Sequence, residues 1–398
     1  MSATPSTESV LLRNPLCDPE RRWPEPDPSV WAFHRRMPAY QATTLFDCPD
    51  LAQRYGVGRV LVKAETQRLG LPSFKILGAS WATYCAICDH LGFAPEPWAN
   101  INDLARRLAY LKPFKLAAAT DGNHGRAVAF MARLLGFNCH IFVPAGTVHA
   151  RIHAIQNEGA EVTVVEGDYD AAVARSAEEA GPRCLVISDT SWPGYDVTPR
   201  RVVEGYTTIF SEIDQALRAA QVPAPDVVIV PVGVGAFMSA TVSWFRSRPW
   251  KGALIGVEPL DANCVQASAR AGKMVAVPGP HHSVMVGLNC GLPSQVAWPR
   301  VSTGVDWMVS VGDDRSAQGM RELAEAGIVA GETGAASMGA LAALTQDVSA
   351  ALIREAGVLG PDTTVLLIVT EGATDRGNYQ AIVGRAPEEV GTILTAAR

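Results

Sequence analysis

Charge is scarce in this 398-residue sequence. Asp, Glu, Lys and Arg together make up 19% of it, and acidic residues outnumber basic ones, for a net charge of −6. With no positive excess to neutralise a phosphate backbone, nucleic acid is not an expected partner, and nothing favours an acidic membrane surface. Cysteine is sparse too. Eight thiols in this length exclude a disulfide-stapled scaffold. Cys85 and Cys88 form a CxxC, but no second pair stands at metal-ligand spacing. The stretch WATYCAICDHL reads as one apolar helix with both thiols in adjacent turns, so both are expected to pack. No apolar run is long and unbroken enough to cross a bilayer. Val227 to Phe245 is uncharged, yet Pro231, Gly233 and Gly235 interrupt it, and it reads as strand, glycine turn and helix. The opening MSATPSTESVLLRNPL has no basic start followed by a long apolar core, so no secretory leader and no membrane partner are expected, and the location is expected to be cytoplasmic. Repeats and low-complexity segments are absent.

What the sequence does contain is apolar residues, 48% of the chain, enough for the large cores of two domains. Short β-branched or apolar runs alternate with longer helical patterns. Strands are expected at Val60–Val62, Lys115–Ala119, Cys139–Val143, Glu161–Val165, Leu185–Ser188, Val227–Val232, Leu254–Val257 and Thr364–Val369. Helices are expected at Gly125–Leu135, Val148–Gln156 and Tyr169–Ala180. Alternation of this kind predicts an α/β protein with parallel sheets covered on both faces. Residues 85–197 read as a compact smaller domain of repeated strand–helix units. Residues 1–84 and 198–398 would form the larger one. Prolines crowd Pro15 to Pro38, so an N-terminal arm without regular structure is expected there. A ligand would sit between the domains, outside the carboxyl ends of the strands.

Polar clusters fall at those strand ends. Val227–Val232 runs into Gly233-Val234-Gly235-Ala236 and then a helix, which makes an anion site of exposed backbone N–H groups. A dinucleotide fingerprint needs a third glycine where Met238 stands, although Glu258 does end the next strand. Thr120-Asp121-Gly122-Asn123-His124-Gly125 follows one strand and opens a helix. Asp121 there is either a helix cap or a base, and His124 reads as a packed helix residue. Ser188-Asp189-Thr190-Ser191-Trp192-Pro193-Gly194-Tyr195, Met285-Val286-Gly287-Leu288-Asn289-Cys290-Gly291 and Thr370-Glu371-Gly372-Ala373-Thr374-Asp375 are further loops of this kind. In Ser73-Phe74-Lys75-Ile76-Leu77-Gly78 a lysine sits among apolar and small residues. That setting suits an amine made reactive by desolvation, and equally a lysine in the first turn of an ordinary helix.

Taken together these segments resemble the fold type II pyridoxal-phosphate enzymes, the threonine dehydratase and tryptophan synthase β family, and within it the diaminopropionate ammonia-lyases. The likeness is carried by SFKILG at 73–78, TDGNHGR at 120–126, DTSWPGY at 189–195, GVGA at 233–236, EP at 258–259, GLNCG at 287–291, GETGA at 331–335 and TEGATD at 370–375. They keep the family's order from about Tyr40 to Tyr379. The most discriminating is TDGNHG, because relatives that dehydrate serine or threonine usually carry serine at the place of Asp121.

The resemblance implies two three-layer parallel-sheet domains with the cofactor, pyridoxal 5′-phosphate, in the cleft between them. Lys75 would form the Schiff base with it, Phe74 would pack under its ring, and Asn123 would bond its 3′ oxygen. Gly233, Val234, Gly235 and Ala236 would cradle the phosphate, and Thr370 would face the ring nitrogen. The substrate would be a small amino acid, 2,3-diaminopropionate, converted to pyruvate and ammonia. Lys75 would be the base for the L isomer and Asp121, on the opposite face, for the D isomer, while Asp189 would hold the distal ammonium. A homodimer is implied as well. No metal is implied.

Three positions depart from the family pattern: Ala373 replaces an aspartate, Asn289 stands where alanine is common, and Pro193 where an acidic residue often sits. They leave open a dehydratase or eliminase for serine, threonine or another β-substituted alanine. Cys264 and Cys290 fall where relatives can carry a cysteine pair, though buried thiols are the simpler expectation.

Overall fold

The computed structural model describes residues 9–120, 122–167, 169–348 and 350–390. Among these are eleven strands: β1 (Val10–Arg13), β2 (Leu45–Asp47), β3 (Arg59–Ala64), β4 (Lys115–Ala119), β5 (Asn138–Pro144), β6 (Glu161–Val165), β7 (Cys184–Val186), β8 (Val227–Pro231), β9 (Ala253–Pro259), β10 (Trp307–Val311) and β11 (Thr364–Val369). The chain divides into two units. One draws on Met1–Pro26, Ala42–Gln67 and Ile209–Arg398, the other on Asp27–Gln41 and Arg68–Thr208.

The first unit is built on a seven-stranded sheet in the order β1-β10-β9-β8-β11-β3-β2. Its five central strands are parallel. Every residue of β8 and β10 is buried. Since neighbours along a strand point to opposite faces, both faces of the sheet are covered, which is why these runs are continuously apolar and do not alternate. Val60, Val62, Ile229, Ile255, Val309 and Leu367 belong to one core cluster beneath the helix Ala336–Gln346. Each such side chain contributes on the order of 1.5–3 kcal/mol by leaving water.

The parallel sheet expected from the sequence is present, with an antiparallel strand added at each edge. β1 pairs antiparallel with β10, and β2 antiparallel with β3. Both are short, part-exposed runs (VLLR and LFD) whose strand character comes from the neighbour they hydrogen-bond, so no periodicity announces them.

The second unit has a four-stranded, wholly parallel sheet in the order β6-β5-β4-β7. The helix Lys75–Leu91 belongs to this unit in full, so the boundary expected at residue 84 falls inside a continuous helix and residues 68–84 go with the second unit. Cys85 and Cys88 lie on it, Cys85 buried and its thiol pKa pushed up to about 12 by that burial, as suits a packing residue. The proline-rich arm also needs a correction. Ser29–His34 forms a short helix that buries Val30, Phe33 and His34. The His34 ring bonds Thr208 Oγ1 at 2.6 Å and the Leu77 carbonyl at 2.9 Å. The prolines bracket this helix without entering it. No helix among the described residues is long and apolar enough to cross a membrane.

Candidate active site

In the second unit four chain segments bring polar groups together. Lys75 is the first residue of its helix, which follows the buried Phe74. The Phe74 ring lies 4.6 Å from that of Tyr206, and the Lys75 ammonium sits 5.8 Å from the Phe74 ring. Asp189 follows β7 in a loop shaped by its own side chains. Trp192 and Tyr195 stack at 4.0 Å across a tight turn, and the Tyr195 hydroxyl donates to Val186 O at 2.6 Å and accepts from Ser188 N at 3.1 Å. So held, Asp189 meets the Lys75 ammonium, Nζ to Oδ2 at 3.0 Å. His124 Nδ1 lies 3.8 Å from the same oxygen. Tyr169, the first residue of the helix Tyr169–Ala177, donates to Oδ1 at 3.4 Å.

Burial by itself raises the Asp189 pKa, but the His124 imidazole and the Lys75 ammonium outweigh it, and the carboxyl is held well below the ordinary carboxylate range. The Lys75 side chain keeps 27% exposure and that of Asp189 keeps 13%, so the pair is reachable. Asn123 opens the helix Asn123–Leu135 just past the end of β4. Asp121 lies outside the described residues.

In the first unit the expected motifs gather at the carboxyl ends of neighbouring strands. Gly233 to Ala236 turn from β8 into the helix Ala236–Phe245. Gly235 takes φ +93°, a left-handed conformation that a side chain would strain, and a Cβ on Gly233 would stand 3.1 Å from both Cys290 Sγ and the Gly287 carbonyl. The first-turn N–H groups of the helix have no partner inside it and carry the positive end of its dipole. Gly287 N bonds Thr333 Oγ1 at 3.2 Å, and Gly331 N bonds Glu371 O at 3.1 Å, so GVGA, GLNCG, GETGA and TEGATD form one contiguous wall. Thr370, next after β11, is 4% exposed, and its Oγ1 is buried without a hydrogen-bond partner.

Glu258 does not behave as the ribose ligand of a dinucleotide site. Both carboxyl oxygens accept backbone N–H groups, from Val265 and from Gln266, each at 2.8 Å, where they cap the helix Cys264–Ala271. Cys264 is buried with Sγ 3.9 Å from Gly233 O, and the eight cysteines form no disulfide.

Tyr169 was not singled out from the sequence. It stands four residues past the end of β6, where polar side chains of parallel sheets collect, but the surrounding GDYD reads as an ordinary helix start. His124 was read as packing alone, although its ring also faces a carboxylate.

A family model described as pyridoxal-phosphate dependent enzyme matches residues 37–371. Diaminopropionate ammonia-lyase of Escherichia coli strain K12 is 34% identical over 362 residues, covering 88% of this chain and 89% of the relative. The enzyme of the same name from Salmonella typhimurium strain LT2 is 33% identical over 374 residues, covering 89% and 91%. Among solved structures, the Escherichia coli lyase in complex with an aminoacrylate–pyridoxal-phosphate azomethine reaction intermediate superimposes with a TM-score of 0.85 at 32% identity, over 95% of this chain and 97% of that one. The same lyase in complex with D-serine gives 0.86 at 31% identity, over 94% and 97%.

The residues present fit such a cofactor. Thr370 Oγ1 is a buried hydroxyl in want of a partner, as a pyridine nitrogen would supply, and the glycine turn at a helix start suits a phosphate.

Proposed function

We propose, from the premise that this chain belongs to the pyridoxal-phosphate-dependent enzymes and within them to the diaminopropionate ammonia-lyase family, that it eliminates ammonia from 2,3-diaminopropionate. The observation that carries the choice of substrate is Asp189, a part-buried carboxylate kept ionised by its neighbours. A charge held in a low-dielectric site attracts the distal ammonium of a diamino acid and gains little from the hydroxyl of serine.

Pyridoxal phosphate, when bound, supplies the electron sink for the pair left behind by the α-proton. This chain would do the rest. Lys75 would hold the cofactor through its amine and, once released by the incoming substrate, take the α-proton of the L isomer at Nζ. Asp121 would take that proton from the opposite face for the D isomer. Asn123 would bond the ring oxygen, Phe74 would line the ring, and the backbone of Gly233, Val234, Gly235 and Ala236 would hold the phosphate. The Thr370 hydroxyl would face the ring nitrogen. A neutral hydroxyl there would leave that nitrogen largely unprotonated, which would favour prompt loss of the β-amine over transamination. The enamine released would tautomerise and hydrolyse to pyruvate and a second ammonia.

The resemblance also supports a cytoplasmic homodimer, which would have twice the 42.3 kDa chain mass in solution. The proposed working parts are the two units of the chain, with Lys75, Asn123 and Asp189 all carried by the second. The deciding experiment is pyruvate release from D- and L-2,3-diaminopropionate against D- and L-serine. Turnover of the diamino acid well above serine is expected. The opposite order would make the protein a dehydratase and would turn attention to Ala373 and Asn289.

A further inference from the structure

A buried carboxylate needs a cation facing it, and the partners of Asp189 come and go. The Lys75 ammonium holds Oδ2 at 3.0 Å, yet under the lyase reading that nitrogen serves the cofactor and the α-proton during turnover. A substrate ammonium departs as neutral ammonia. Among the described residues, Lys75 and His124 are the cationic partners within ion-pair distance of Asp189. Tyr169 reaches Oδ1 at 3.4 Å with a neutral hydroxyl. Tyr195 spends its hydroxyl on Val186 O, and burial pushes its pKa up to about 12. Tyr206 packs on Phe74 and is likewise raised by burial. Arg151 borders Gly122 at the start of the His124 helix.

His124 is different because it is fixed. The side chain is 3% exposed, and Nε2 lies 2.8 Å from the Ile187 carbonyl. A carbonyl only accepts, so Nε2 carries a hydrogen and the tautomer is set. Nδ1 is then left 3.8 Å from Asp189 Oδ2, buried and with no hydrogen-bond partner. Bare, it turns a lone pair toward a carboxylate. Protonated, it is the missing cation.

We propose that His124 is a positioning residue for Asp189: protonated at Nδ1, it balances the carboxylate in the intervals when no ammonium faces it and so keeps the site ready for a diamino substrate. The proton enters from solvent as the amine leaves and returns there when the next ammonium docks. This role rests on the lyase reading for its purpose but not for its geometry.

His124→Gln is the test, because a glutamine amide can still donate to Ile187 O but cannot hold a charge. In the holoenzyme we expect kcat/KM for diaminopropionate to fall about tenfold near pH 6, mainly through KM, and to recover toward pH 9. Serine turnover should keep its pH profile, since a hydroxyl draws little on the carboxylate charge. An equal loss at every pH, or the same loss on serine, would overturn the proposal.

A second readout needs no turnover, and should His124→Gln fail to fold, His124→Asn replaces it for the assignment. In protein labelled with 15N-histidine, the signal absent from His124→Gln identifies residue 124. Its Nδ1 should be protonated at pH 6 in the wild type and bare in Asp189→Asn. Bare nitrogen in both sinks the assignment. If diaminopropionate is no substrate at all, the lyase reading falls and this nitrogen signal alone decides His124.

Discussion

Gly205→Ala should loosen the helix that carries Lys75 at its start, and the size of the effect follows from one helix crossing. Gly205 ends the helix Val197–Gly205, which crosses the helix Lys75–Leu91 at Gly78. A Cβ on Gly205 would lie 2.4 Å from the Leu77 carbonyl oxygen and 2.7 Å from Gly78 Cα. Ordinary contact begins near 3.4 Å, so the shortfall to the carbonyl is 3.4 − 2.4 = 1.0 Å. Both obstacles are backbone, so no rotamer change relieves them and the helices themselves must part. Overpacking of this kind costs about 1–3 kcal/mol, and an alanine at a helix end returns only a few tenths by lowering the entropy of the unfolded chain. A net loss of ~2 kcal/mol lowers Tm by roughly 4–8 °C for a unit of this size. Because the displaced turn lies next to Lys75, the Lys75–Asp189 contact should loosen as well. Differential scanning calorimetry and the visible cofactor band would report the two effects. Gly78→Ala offers an internal comparison. Its Cβ would meet side chains, Tyr206 Cε1 at 2.6 Å and Val202 Cγ1 at 2.7 Å, so adding Val202→Ala should restore part of the loss. No such rescue should be found for Gly205→Ala. A Gly205→Ala protein with wild-type Tm and cofactor band would refute the close crossing.

Thr370→Val removes a buried hydroxyl without a partner, so apoprotein stability should hold or rise by up to about 1 kcal/mol while the cofactor binds several-fold more weakly; an apoprotein destabilised as much as the holoenzyme would contradict this. Burial raises the Glu258 pKa to about 8, against the pull of the two backbone N–H groups it accepts. Its native form therefore favours the proton, and the stabilisation this gives is complete below the ordinary value of 4.5 and lost as pH rises through about 8. Glu258→Gln turns an NH2 toward one of those N–H groups, costing ~1–3 kcal/mol at pH 6, and the Tm gap to wild type should narrow by pH 9; parallel curves would count against the raised value. Asp121→Asn should cut D-isomer turnover by about 10²–10⁴ and spare most of the L-isomer rate. Equal losses on both isomers would make Asp121 a cap or a general positioner.

By itself the sequence determined the parts whose chemistry is local. A short, β-branched apolar run leading into glycines, such as Val227–Val232, reads as a strand covered on both faces, and a glycine turn followed by a helix start offers N–H groups whatever lies around it. Lys115–Ala119, Glu161–Val165 and Thr364–Val369 are strands with the same bounds in sequence and structure. The segments SFKILG and TDGNHG showed a lysine and a set of polar groups at element starts, and only the resemblance to the pyridoxal-phosphate enzymes singled out Lys75 as the amine proposed to react.

Tertiary structure decided what depends on partners distant in the chain. Val10–Arg13 and Leu45–Asp47 are strands because β10 and β3 present unpaired edges to them, a fact no pattern within four residues can hold. Glu258 became a helix cap instead of a sugar ligand once the fold set Val265 and Gln266 over it. His124 looked like a packing residue until the turn after β7 set Asp189 Oδ2 near its ring. Charge partners are a matter of ångströms across the fold, and a single sequence records only who the partners are.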